Sequence, residues 1–421
     1  MERALLVSVD LTDPDYRDSW PQGQSAQELA QLVRSCGVGI IDEIAVHRDR
    51  PSPTYFLGRG KAQELHDLCH RSDADLVIFG EDLSASQQRN LEELIGAKII
   101  DRTQLILDIF AQRAKSQEGK VQVELAQLEY LLPRLAGKGT LLSRLGGGIG
   151  TRGPGEQKLE MDRRRIRLRI ARLHRELGQI HRRRGIGRRK REEQMPAVAL
   201  IGYTNVGKST LLNALTRAGA PAEDRLFTTL DPLSRRLTLP NHQPVLLVDT
   251  VGFLHRLPHH LIEAFQATLE ELTQAQLLLH LVDASHPQWE EQAAAVRQVL
   301  ETLHAEMKPV ILLFNKVDQI DPRTRQALQR SHPEAVFISA ETGEGLPTLL
   351  DRLAQSLSYL TRSATVRLAA RDQSWLERIY AQGDVLGRRQ VSDTIVLKVR
   401  VPHRLYGQLE KAGLIKESFS S

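Results

Sequence analysis

Hydrophobic and polar positions change their period several times along the chain, and each change marks a predicted structural region. Over residues 1–110, short apolar runs such as ALLVSVD and DLVIFGED alternate with segments of helical spacing such as KAQELHDLCHR. This alternation favours a small, mostly parallel α/β domain, because strands that alternate with helices build parallel sheets. We assign this domain to residues 1–115.

The period becomes helical over residues 116–192, where two apolar seams flank a loop. The first seam comprises Val121, Leu125, Leu128, Leu132 and Leu135, and the second comprises Leu159, Ile166, Ile170, Leu173, Leu177 and Ile180. Two seams joined by a loop predict an antiparallel helical hairpin. We expect the first helix to end or kink near Leu132, because Pro133 lies inside the pattern. The stretch RGIG, residues 184–187, is expected to end the second helix.

The segment between the two seams is rich in glycine. GGGIGTRGPGE, residues 146–156, holds six glycines in eleven positions, although glycine raises the entropy cost of ordering a chain. We predict that residues 137–156 form the tip of the hairpin, with Lys138, Arg144 and Arg152 among eight glycines. Such a tip can enter a narrow crevice lined by RNA and become ordered on binding. A flexible connector without contacts is the alternative.

The remaining chain reads as two further regions. Residues 193–362 form a regular series of strands, loops and helices, and residues 363–421 read as a small α+β domain of strand, helix, two strands and helix. The predicted fold class is therefore a multidomain α/β protein. It comprises a small α/β domain, a helical hairpin, a larger α/β domain of regularly alternating strands and helices, and a small α+β domain.

Composition excludes several protein classes. Hydrophobic residues make up 41% of the chain, but no run of 18 apolar residues occurs, so we expect no membrane anchor. The only cysteines, Cys36 and Cys69, imply neither a disulfide framework nor a zinc site and are typical of a reducing cytosol. The beginning of the sequence lacks the layout of a signal peptide. We therefore expect a cytoplasmic protein, and a monomer, because the hairpin can bury its own seam.

The positive charge is concentrated in one strip. The net charge is only +5, yet residues 163–191 contain 14 Arg/Lys and one acid, Glu176. The arginines around the second seam are Arg163, Arg164, Arg165, Arg167, Arg169, Arg172 and Arg175. Clustered arginine suits phosphate, and the scarcity of aromatic residues favours the backbone of folded RNA over unpaired bases. A solvated coiled-coil surface is the alternative, but such surfaces normally carry charges of both signs.

A phosphate-binding loop follows the first strand of the central region. AVALIGYTNVGKSTLLNAL places Gly202-x4-Gly207-Lys208-Ser209 between a buried strand and an amphipathic helix. The glycines allow backbone N–H groups to curl round a phosphate at the positive end of that helix. Lys208 adds a charge near the β- and γ-phosphates, and Ser209 ligates Mg²⁺. The alternative is a strand–helix turn with incidental glycines.

Two later strand ends complete a guanine-nucleotide site. LLVDTVG ends with Asp249, which suits the water shell of Mg²⁺, and with Gly252, whose N–H can meet a γ-phosphate. LLFNKVD supplies Asp318, whose carboxylate can accept two hydrogen bonds from guanine but finds no such donor pair on adenine. Lys316 can lie along the base, and the Asn315 amide can brace the loop.

The remaining predicted contacts come from FISA and from the first switch. Ser339 and Ala340 can offer backbone N–H groups to guanine O6. RLFTTLDP, residues 225–232, offers Thr228 and Thr229 as the switch ligand of Mg²⁺. We favour Thr229, against the alternative that these threonines only reflect β-propensity. The nucleotide is therefore predicted to be GTP or GDP with Mg²⁺.

The predicted site is as follows. The nucleotide contacts are Gly202, Tyr203, Thr204, Asn205, Val206, Gly207, Lys208, Ser209, Thr210, Phe227, Thr228, Thr229, Asp249, Thr250, Val251, Gly252, Asn315, Lys316, Val317, Asp318, Ser339 and Ala340. Of these, Lys208, Thr229 and Gly252 are the catalytic candidates, and Ser209 and Thr229 are the metal ligands.

The ordered motifs resemble those of the translation-factor class of P-loop GTPases, and a wider match is similar to the HflX family of ribosome-associated GTPases. That match rests on GGGIGTRGPGEQKLEMDRRRIRLRI before GYTNVGKS, on LFTTLDPLSRRL, on DTVGFLHRLPHHLIEAF and on FLGRGKAQEL. The resemblance implies GTP-regulated binding to the large ribosomal subunit and its rRNA. It also implies separation of stalled or idle ribosomes into subunits, under stress.

Two positions bear on the rate of hydrolysis. Phe253 stands where Ras-like GTPases carry a glutamine that orients water, and phenylalanine has no donor or acceptor. We therefore expect slow hydrolysis by the protein alone and stimulation by the ribosome, unless another glutamine substitutes. Asn205 matches the asparagine that helps to hold a potassium ion in potassium-stimulated relatives. Bracing of the loop by Asn205 is the open alternative.

Two alternative functions are open at this point. An assembly factor that holds immature large subunits would use the same features. An RNA-remodelling protein would need a second, ATP-binding site, for which FLGRGKAQEL, residues 56–65, is the candidate. Gly58-x-Gly60-Lys61 lacks the full spacing of a phosphate loop, so it is better interpreted as a turn before a helix.

Overall fold

The computed structural model describes residues 2–16, 20, 23–135, 154–192, 195–216, 227, 231–256, 258, 271–369, 371–391 and 393–416. The chain divides into two compact units. The first comprises Met1–Arg182, Asp224–Asp231 and Leu257–Gln266, and the second comprises Arg183–Glu223, Pro232–Arg256 and Ala267–Ser421.

The first unit begins with a parallel four-stranded sheet of order β2-β1-β3-β4. Its strands are β1 (Arg3–Leu11), β2 (Gly39–Arg48), β3 (Leu76–Phe79) and β4 (Lys98–Ile100). The helices between and after them are α1 (Gln24–Ser35), α2 (Arg59–Ser72), α3 (Ala85–Ile95) and α4 (Arg102–Arg113). Strand β3 is buried along its whole length, as expected for a parallel sheet covered on both faces. The predicted α/β architecture is confirmed.

Two long helices follow, α5 (Gln117–Arg134) and α6 (Pro154–Glu192). Three residues of each predicted seam pack on each other: Val121, Leu125, Leu173 and Leu177 form one apolar cluster, with Leu128 and Ile170 against it. Helix α5 begins with a capping serine, Ser116, whose side chain accepts a hydrogen bond from the backbone N–H of Gly119.

The two helices begin or end at positions that differ from the predicted ones at three places. Helix α5 passes through Pro133 and ends at Arg134, two residues beyond Leu132. The prediction that residues 184–187 end the second helix is wrong, because α6 continues to Glu192. A helical glycine costs only about 1 kcal/mol, which the surrounding arginines, good helix formers, can offset. Pro154 begins α6, so residues 154–156 belong to the helix, and residues 137–153 of the predicted tip lie outside the described part of the chain.

The second unit contains a six-stranded sheet of order β10-β9-β8-β5-β7-β6, in which only β6 is antiparallel to its neighbour. Its strands are β5 (Ala197–Gly202), β6 (Leu233–Thr238), β7 (Pro244–Asp249), β8 (Leu277–Asp283), β9 (Val310–Asn315) and β10 (Val336–Phe337). Its named helices are α7 (Lys208–Thr216), α8 (Trp289–Thr302), α9 (Pro322–Ser331) and α10 (Leu346–Ser356). The carboxyl ends of the parallel strands carry the predicted nucleotide motifs, which is where open α/β sheets bind ligands.

The same unit ends with an antiparallel sheet of order β12-β13-β11-β14. Its elements are β11 (Thr361–Ala369), α11 (Gln373–Gln382), β12 (Asp384–Val391), β13 (Thr394–Pro402), α12 (His403–Lys411) and β14 (Ile415–Lys416). The short strand β14 was absent from the sequence prediction. The resulting β-α-β-β-α-β order is that of a split βαβ, ferredoxin-like fold. Throughout the described residues, no helix is both long and apolar enough to cross a membrane.

Candidate nucleotide-binding site

The loop between β5 and α7 depends on two glycines with positive φ. Gly202 has a φ of 155°, and a Cβ there would lie 2.5 Å from the carbonyl oxygen of Leu281. Gly207 has a φ of 93°, and a Cβ there would overlap the side-chain amide of Asn315. Any other residue would be strained at either position, so the loop can take this shape only with glycine.

Lys208 is buried beneath this loop. Its Nζ donates hydrogen bonds to the carbonyl oxygens of Gly202, at 3.2 Å, and Tyr203, at 2.8 Å. Burial lowers the pKa of Lys208 to about 8, and the Asp249 carboxylate acts in the opposite direction. Phosphate oxygens are stronger partners for an ammonium group than carbonyls are. The lysine is therefore held in place for a phosphate at the mouth of the loop.

Ser209 and Asp249 form a pair of hard oxygen ligands. The Oγ of Ser209 donates a hydrogen bond to Oδ2 of Asp249 at 2.6 Å, and Asp249 is fully buried. Magnesium prefers hydroxyl, carboxylate and phosphate oxygens, so these residues fit the metal ion that accompanies a nucleoside triphosphate. Within the described residues, no cluster of three or more His, Cys, Asp or Glu side chains offers an all-protein metal site.

The start of the second switch pairs with the phosphate loop. The backbone N–H of Thr204 donates to the carbonyl of Phe253 at 2.8 Å, and the N–H of Phe253 donates to that of Gly202 at 3.2 Å. A Cβ on Gly252 would lie 2.9 Å from the Thr204 side chain and 3.1 Å from Nζ of Lys208. The Phe253 ring is buried. Gly252 is thus brought to Lys208, as its predicted role requires.

Asn315 joins the two loops of the guanine end. Its Nδ2 donates to the carbonyl of Val206 at 2.7 Å, and its Oδ1 accepts from the backbone N–H of Ala340 at 2.9 Å. This is the bracing role that the sequence suggested for the amide. However, the N–H of Ala340 is thereby engaged, and that of Ser339 donates to the carbonyl of Glu344 at 3.0 Å. Contact of these groups with guanine O6 stays a prediction that requires sharing or exchange of partners.

Lys316 and Asp318 follow the end of β9 in the chain. Nζ of Lys316 pairs with Oδ2 of Asp283 at 2.6 Å, while Asp318 is exposed in a short 3-10 turn. Sequence reasoning missed Asp283 and Ser285, whose Oγ donates to Oδ1 of Asp283 at 2.6 Å. The available signal was the position of Asp283 at the carboxyl end of β8, in LLLHLVDAS.

Several other predicted contacts can act only through the backbone. The side chains of Thr204, Val206, Thr250, Val251 and Val317 are buried. The Thr250 hydroxyl donates to the carbonyl of Leu200 at 2.6 Å, and the backbone N–H of His255 donates to the Tyr203 hydroxyl at 2.7 Å. Thr210 lies in the first turn of α7, and the exposed Asn205 has a φ of 61°.

Phe227 and Asp231, two described residues of the predicted first switch, belong to the first unit. Phe227, a predicted nucleotide contact, is instead buried, with its ring 4.7 Å from that of Phe110. Burial favours this placement of the aromatic ring, so contact of Phe227 with a nucleotide stays a prediction for its backbone alone. Thr228 and Thr229 lie outside the described residues.

Asp231, also missed by sequence reasoning, binds Ser116, the N-cap residue of helix α5, in that unit. Its Oδ2 accepts from the backbone N–H groups of Lys115, at 2.9 Å, and Ser116, at 2.7 Å. The Ser116 hydroxyl donates to its Oδ1. A Cβ on Gly119 would lie 2.5 Å from the same oxygen. The carboxylate therefore occupies the positive end of α5, where negative charge is stabilised.

The second glycine turn, in FLGRGKAQEL, does not form a phosphate loop. Helix α2 begins at Arg59, and Gly58 precedes it with a φ of −72° and a ψ of 153°. Nζ of Lys61 pairs with Glu64 at 2.6 Å. The interpretation of this stretch as a turn before a helix is confirmed.

Four family descriptions match the chain in succession. They are "GTP-binding GTPase N-terminal" at residues 23–111, "GTP-binding GTPase Middle Region" at 113–191, "50S ribosome-binding GTPase" at 197–316 and "HflX C-terminal domain" at 325–416. The matches extend over both units and agree with a guanine-nucleotide site.

Individual relatives match over nearly their whole length. "GTPase HflX" of Lacrimispora saccharolytica is 45% identical over 413 residues, covering 97% of this chain and 95% of that protein. "GTPase HflX" of Escherichia coli K12 is 43% identical over 407 residues, covering 95% and 94%. A solved GTP-binding protein from Sulfolobus solfataricus, in complex with GDP, is 22% identical with a TM-score of 0.44, covering 86% of this chain and 100% of that one.

Proposed function

The chain belongs to the HflX family of GTPases, and from this premise we propose that it binds the large ribosomal subunit in its GTP state and splits stalled or idle ribosomes. The observation that carries the proposal is the surface of α6. Arg164, Arg167 and Arg172 are exposed, and none of them forms an ion pair within the described residues. Unneutralised arginines along one helix attract a polyanion, and ribosomal RNA is one.

Hydrolysis would use the residues gathered at the end of β5. Water attacks the γ-phosphorus, the bond to the bridging oxygen breaks, and GDP and phosphate leave. Lys208 would bind the β- and γ-phosphates, and the backbone N–H of Gly252 would hold the γ-phosphate. Ser209 and Asp249 would hold Mg²⁺, directly and through its water shell, with Thr229 as the switch ligand. The metal ion supplies positive charge to the phosphates.

The buried Phe253 ring supports slow hydrolysis by the protein alone. No side-chain donor or acceptor stands at that position to orient the attacking water. The ribosome would then stimulate hydrolysis by ordering the switches. A potassium ion held by the exposed Asn205 would add positive charge near the phosphates, and exchange of potassium for sodium tests this role.

Asp231 supplies a route from the nucleotide to the basic hairpin. It lies two residues after Thr229, the proposed switch ligand, and it binds Ser116, the cap of α5, which is one of the two hairpin helices. Movement of Thr229 toward a bound Mg²⁺ would pull on this cap. We therefore expect Asp231→Ala to weaken the dependence of ribosome binding on GTP while leaving GTP affinity nearly unchanged.

The main experiment measures steady-state GTP hydrolysis with and without purified large subunits. The variants are wild type, a chain lacking residues 146–156, and Lys208→Ala as the inactive control. Strong stimulation that falls on deletion supports a hairpin tip that senses its docking site. Stimulation that survives deletion assigns the activating contacts to the switches, and no stimulation of the wild type overturns the proposal.

A second measurement separates splitting from assembly. Intact ribosomes are incubated with the protein and GTP and then sedimented through a sucrose gradient. Splitting predicts loss of the intact peak, which Lys208→Ala should not cause. Preservation of that peak, with protein on immature large subunits, would favour the assembly factor instead.

The proposal also includes the organisation of the protein. It is a cytoplasmic monomer whose four domains span residues 1–115, 116–192, 193–362 and 363–421.

A further inference from the structure

The antiparallel sheet at the end of the chain has two different faces. Helices α11 and α12 pack on one face, over a core that includes Val366, Leu368, Leu397, Val399, Ile379 and Leu405. Buried and non-buried positions alternate along β11 and β13, so the intervening residues point away from this core. The second face is therefore the outer surface of a single sheet.

Four exposed cations occupy this outer surface. Arg367 lies on β11, and Lys398 and Arg400 lie on β13. Arg389 of β12 is directly opposite Val396 of β13, which places it on the same side of the sheet. We call these four residues, Arg367, Arg389, Lys398 and Arg400, the basic sheet face.

Protection of a sheet edge does not explain these charges. Lysine and arginine on an edge strand discourage pairing with other chains, which accounts for Arg389 on β12. The other three cations, however, lie on β11 and β13, the two central strands. Like charges on neighbouring strands repel each other, so this placement lowers the stability of the sheet unless something binds it.

The protein itself does little to neutralise the basic sheet face. Asp384 is the one acid directly opposite a member of it, Arg400, and no ion pair within 4 Å joins any of the four cations to an acid in the described residues. Over residues 361–421 the sequence has 11 Arg/Lys and six Asp/Glu, so the surrounding domain is also basic. The surface needs a negatively charged partner.

The uncharged residues of this face indicate the kind of partner. They include Ser363, Thr365 and Val396, and none of the described outward positions on β11, β12 and β13 is aromatic. Without aromatic rings the face cannot stack on unpaired bases, and it lacks the aromatic anchors of protein interfaces and of membrane-surface segments. Arginine, lysine and hydroxyl side chains do suit phosphate oxygens.

We propose that the basic sheet face binds the phosphate backbone of folded RNA. It is a second RNA surface, separate in sequence from the arginines of α6. The inference does not depend on ribosome splitting, because it requires only contact with RNA.

Two lysines of the same domain provide a direct test. Lys398 lies on the basic sheet face, whereas Lys411 ends α12, on the opposite side of the sheet, and both are exposed. The full-length protein is treated with an amine-acylating reagent, with and without protein-free rRNA of the large subunit, and the modification is read by mass spectrometry. We expect RNA to protect Lys398 several-fold and to leave Lys411 unchanged. Equal protection of both lysines, or of neither, overturns the proposal.

Matched variants give a second readout. Arg367→Gln/Lys398→Gln/Arg400→Gln removes three charges from the face, and Arg371→Gln/Arg404→Gln/Lys411→Gln removes three exposed charges elsewhere in the domain. The first variant should make the plot of log affinity for rRNA against log salt shallower by about 2 to 3, whereas the control should change it by less than about 1. Unchanged far-UV circular dichroism and thermal unfolding of the full-length protein show that both variants are folded.

Protection of Lys398 by rRNA can also be distinguished from protection by a ribosomal protein. If intact large subunits protect Lys398 but protein-free rRNA does not, the face docks on a ribosomal protein and the RNA assignment is wrong. If rRNA protects Lys398 while large subunits fail to stimulate GTP hydrolysis, the inference stands and the proposed function fails.

Discussion

Gly58-Arg59-Gly60-Lys61 and the loop from Gly202 to Lys208 both lead into a helix and both place a lysine in its first turn. In the second loop, Gly202 and Gly207 adopt positive φ, and Lys208 is buried on two carbonyl oxygens. In the segment Gly58-Arg59-Gly60-Lys61, Gly58 has an extended conformation with a φ of −72°, and Lys61 pairs with Glu64. Similar composition therefore produces two different structures.

The difference lies in what surrounds each turn. The loop at Gly207 is closed by Asn315 from another strand end, which the glycine must accommodate. A Cβ on Gly60 would meet nothing within 4 Å. A phosphate cradle thus requires backbone N–H groups turned inward by positive φ and held by a second loop. Glycine and lysine next to a helix are not sufficient.

Removal of the two lysines should give the largest contrast. Lys208→Ala is expected to lower GTP affinity about 1,000-fold, since two hydrogen bonds to charged phosphates contribute roughly 4 kcal/mol. Lys61→Ala is expected to leave it unchanged. Equilibrium binding of a fluorescent GTP analogue measures both. Equal losses in the two variants would mean that both turns serve the nucleotide.

Mild acid should destabilise the second unit, which contains the Gly202 loop, more than the sheet of the first unit, which contains the Gly58 turn. His280 on β8 is buried next to Ile201 of β5, and burial, with Arg297 and Lys208, lowers its pKa to about 4, whereas β3 of the other sheet is entirely apolar. Between pH 6.5 and 4 the unfolded chain binds a proton at this residue that the folded chain does not. Stability of the second unit should therefore fall with decreasing pH, by about 3 kcal/mol at pH 4.

His280→Leu tests this expectation, because leucine cannot titrate. Loss of GTP binding on mild acidification reports on the second unit, and thermal unfolding at pH 7 controls for packing. The variant should lose less stability between pH 6.5 and 4.5 than the wild type. The same acid sensitivity in both proteins would assign it to other groups.

Substitution of the glycines should have a smaller effect that is confined to the Gly202 loop. Gly207→Ala forces alanine to a φ of 93° and displaces the Asn315 amide, which we expect to cost about 2 kcal/mol and to weaken GTP binding roughly 30-fold. Asn315→Ala, which makes room but removes the brace, is the companion variant. Normal GTP binding by Gly207→Ala would show that the positive φ at Gly207 is not required for nucleotide binding.

The sequence predicted the parts of this site that depend on local spacing. The strand, the glycines, Lys208 and the order of the later motifs could be recognised because each lies within a few residues of its neighbours. Asp231, which binds the N-cap residue of α5 from more than a hundred residues away, depends on the tertiary fold and had no local signal, whereas the only signal for Asp283, which pairs with Lys316, was its position at the carboxyl end of β8. The helix through residues 184–187 was missed because glycine is a weak breaker when arginines flank it.

The smallest effect is expected at Gly60, and it is the one that most directly tests the comparison. Gly60→Ala should raise the stability of the first unit by about 0.5 kcal/mol, because alanine is a better helix former than glycine and its Cβ meets nothing within 4 Å. GTP binding should not change, and ATP binding should be undetectable in both proteins. Calorimetric unfolding measures the first quantity and titration with ATP the second. Detectable ATP binding that Gly60→Ala abolishes would show that the extended turn rearranges into a second nucleotide site. The proposed contrast between the two turns would then describe only one conformation of the N-terminal sheet.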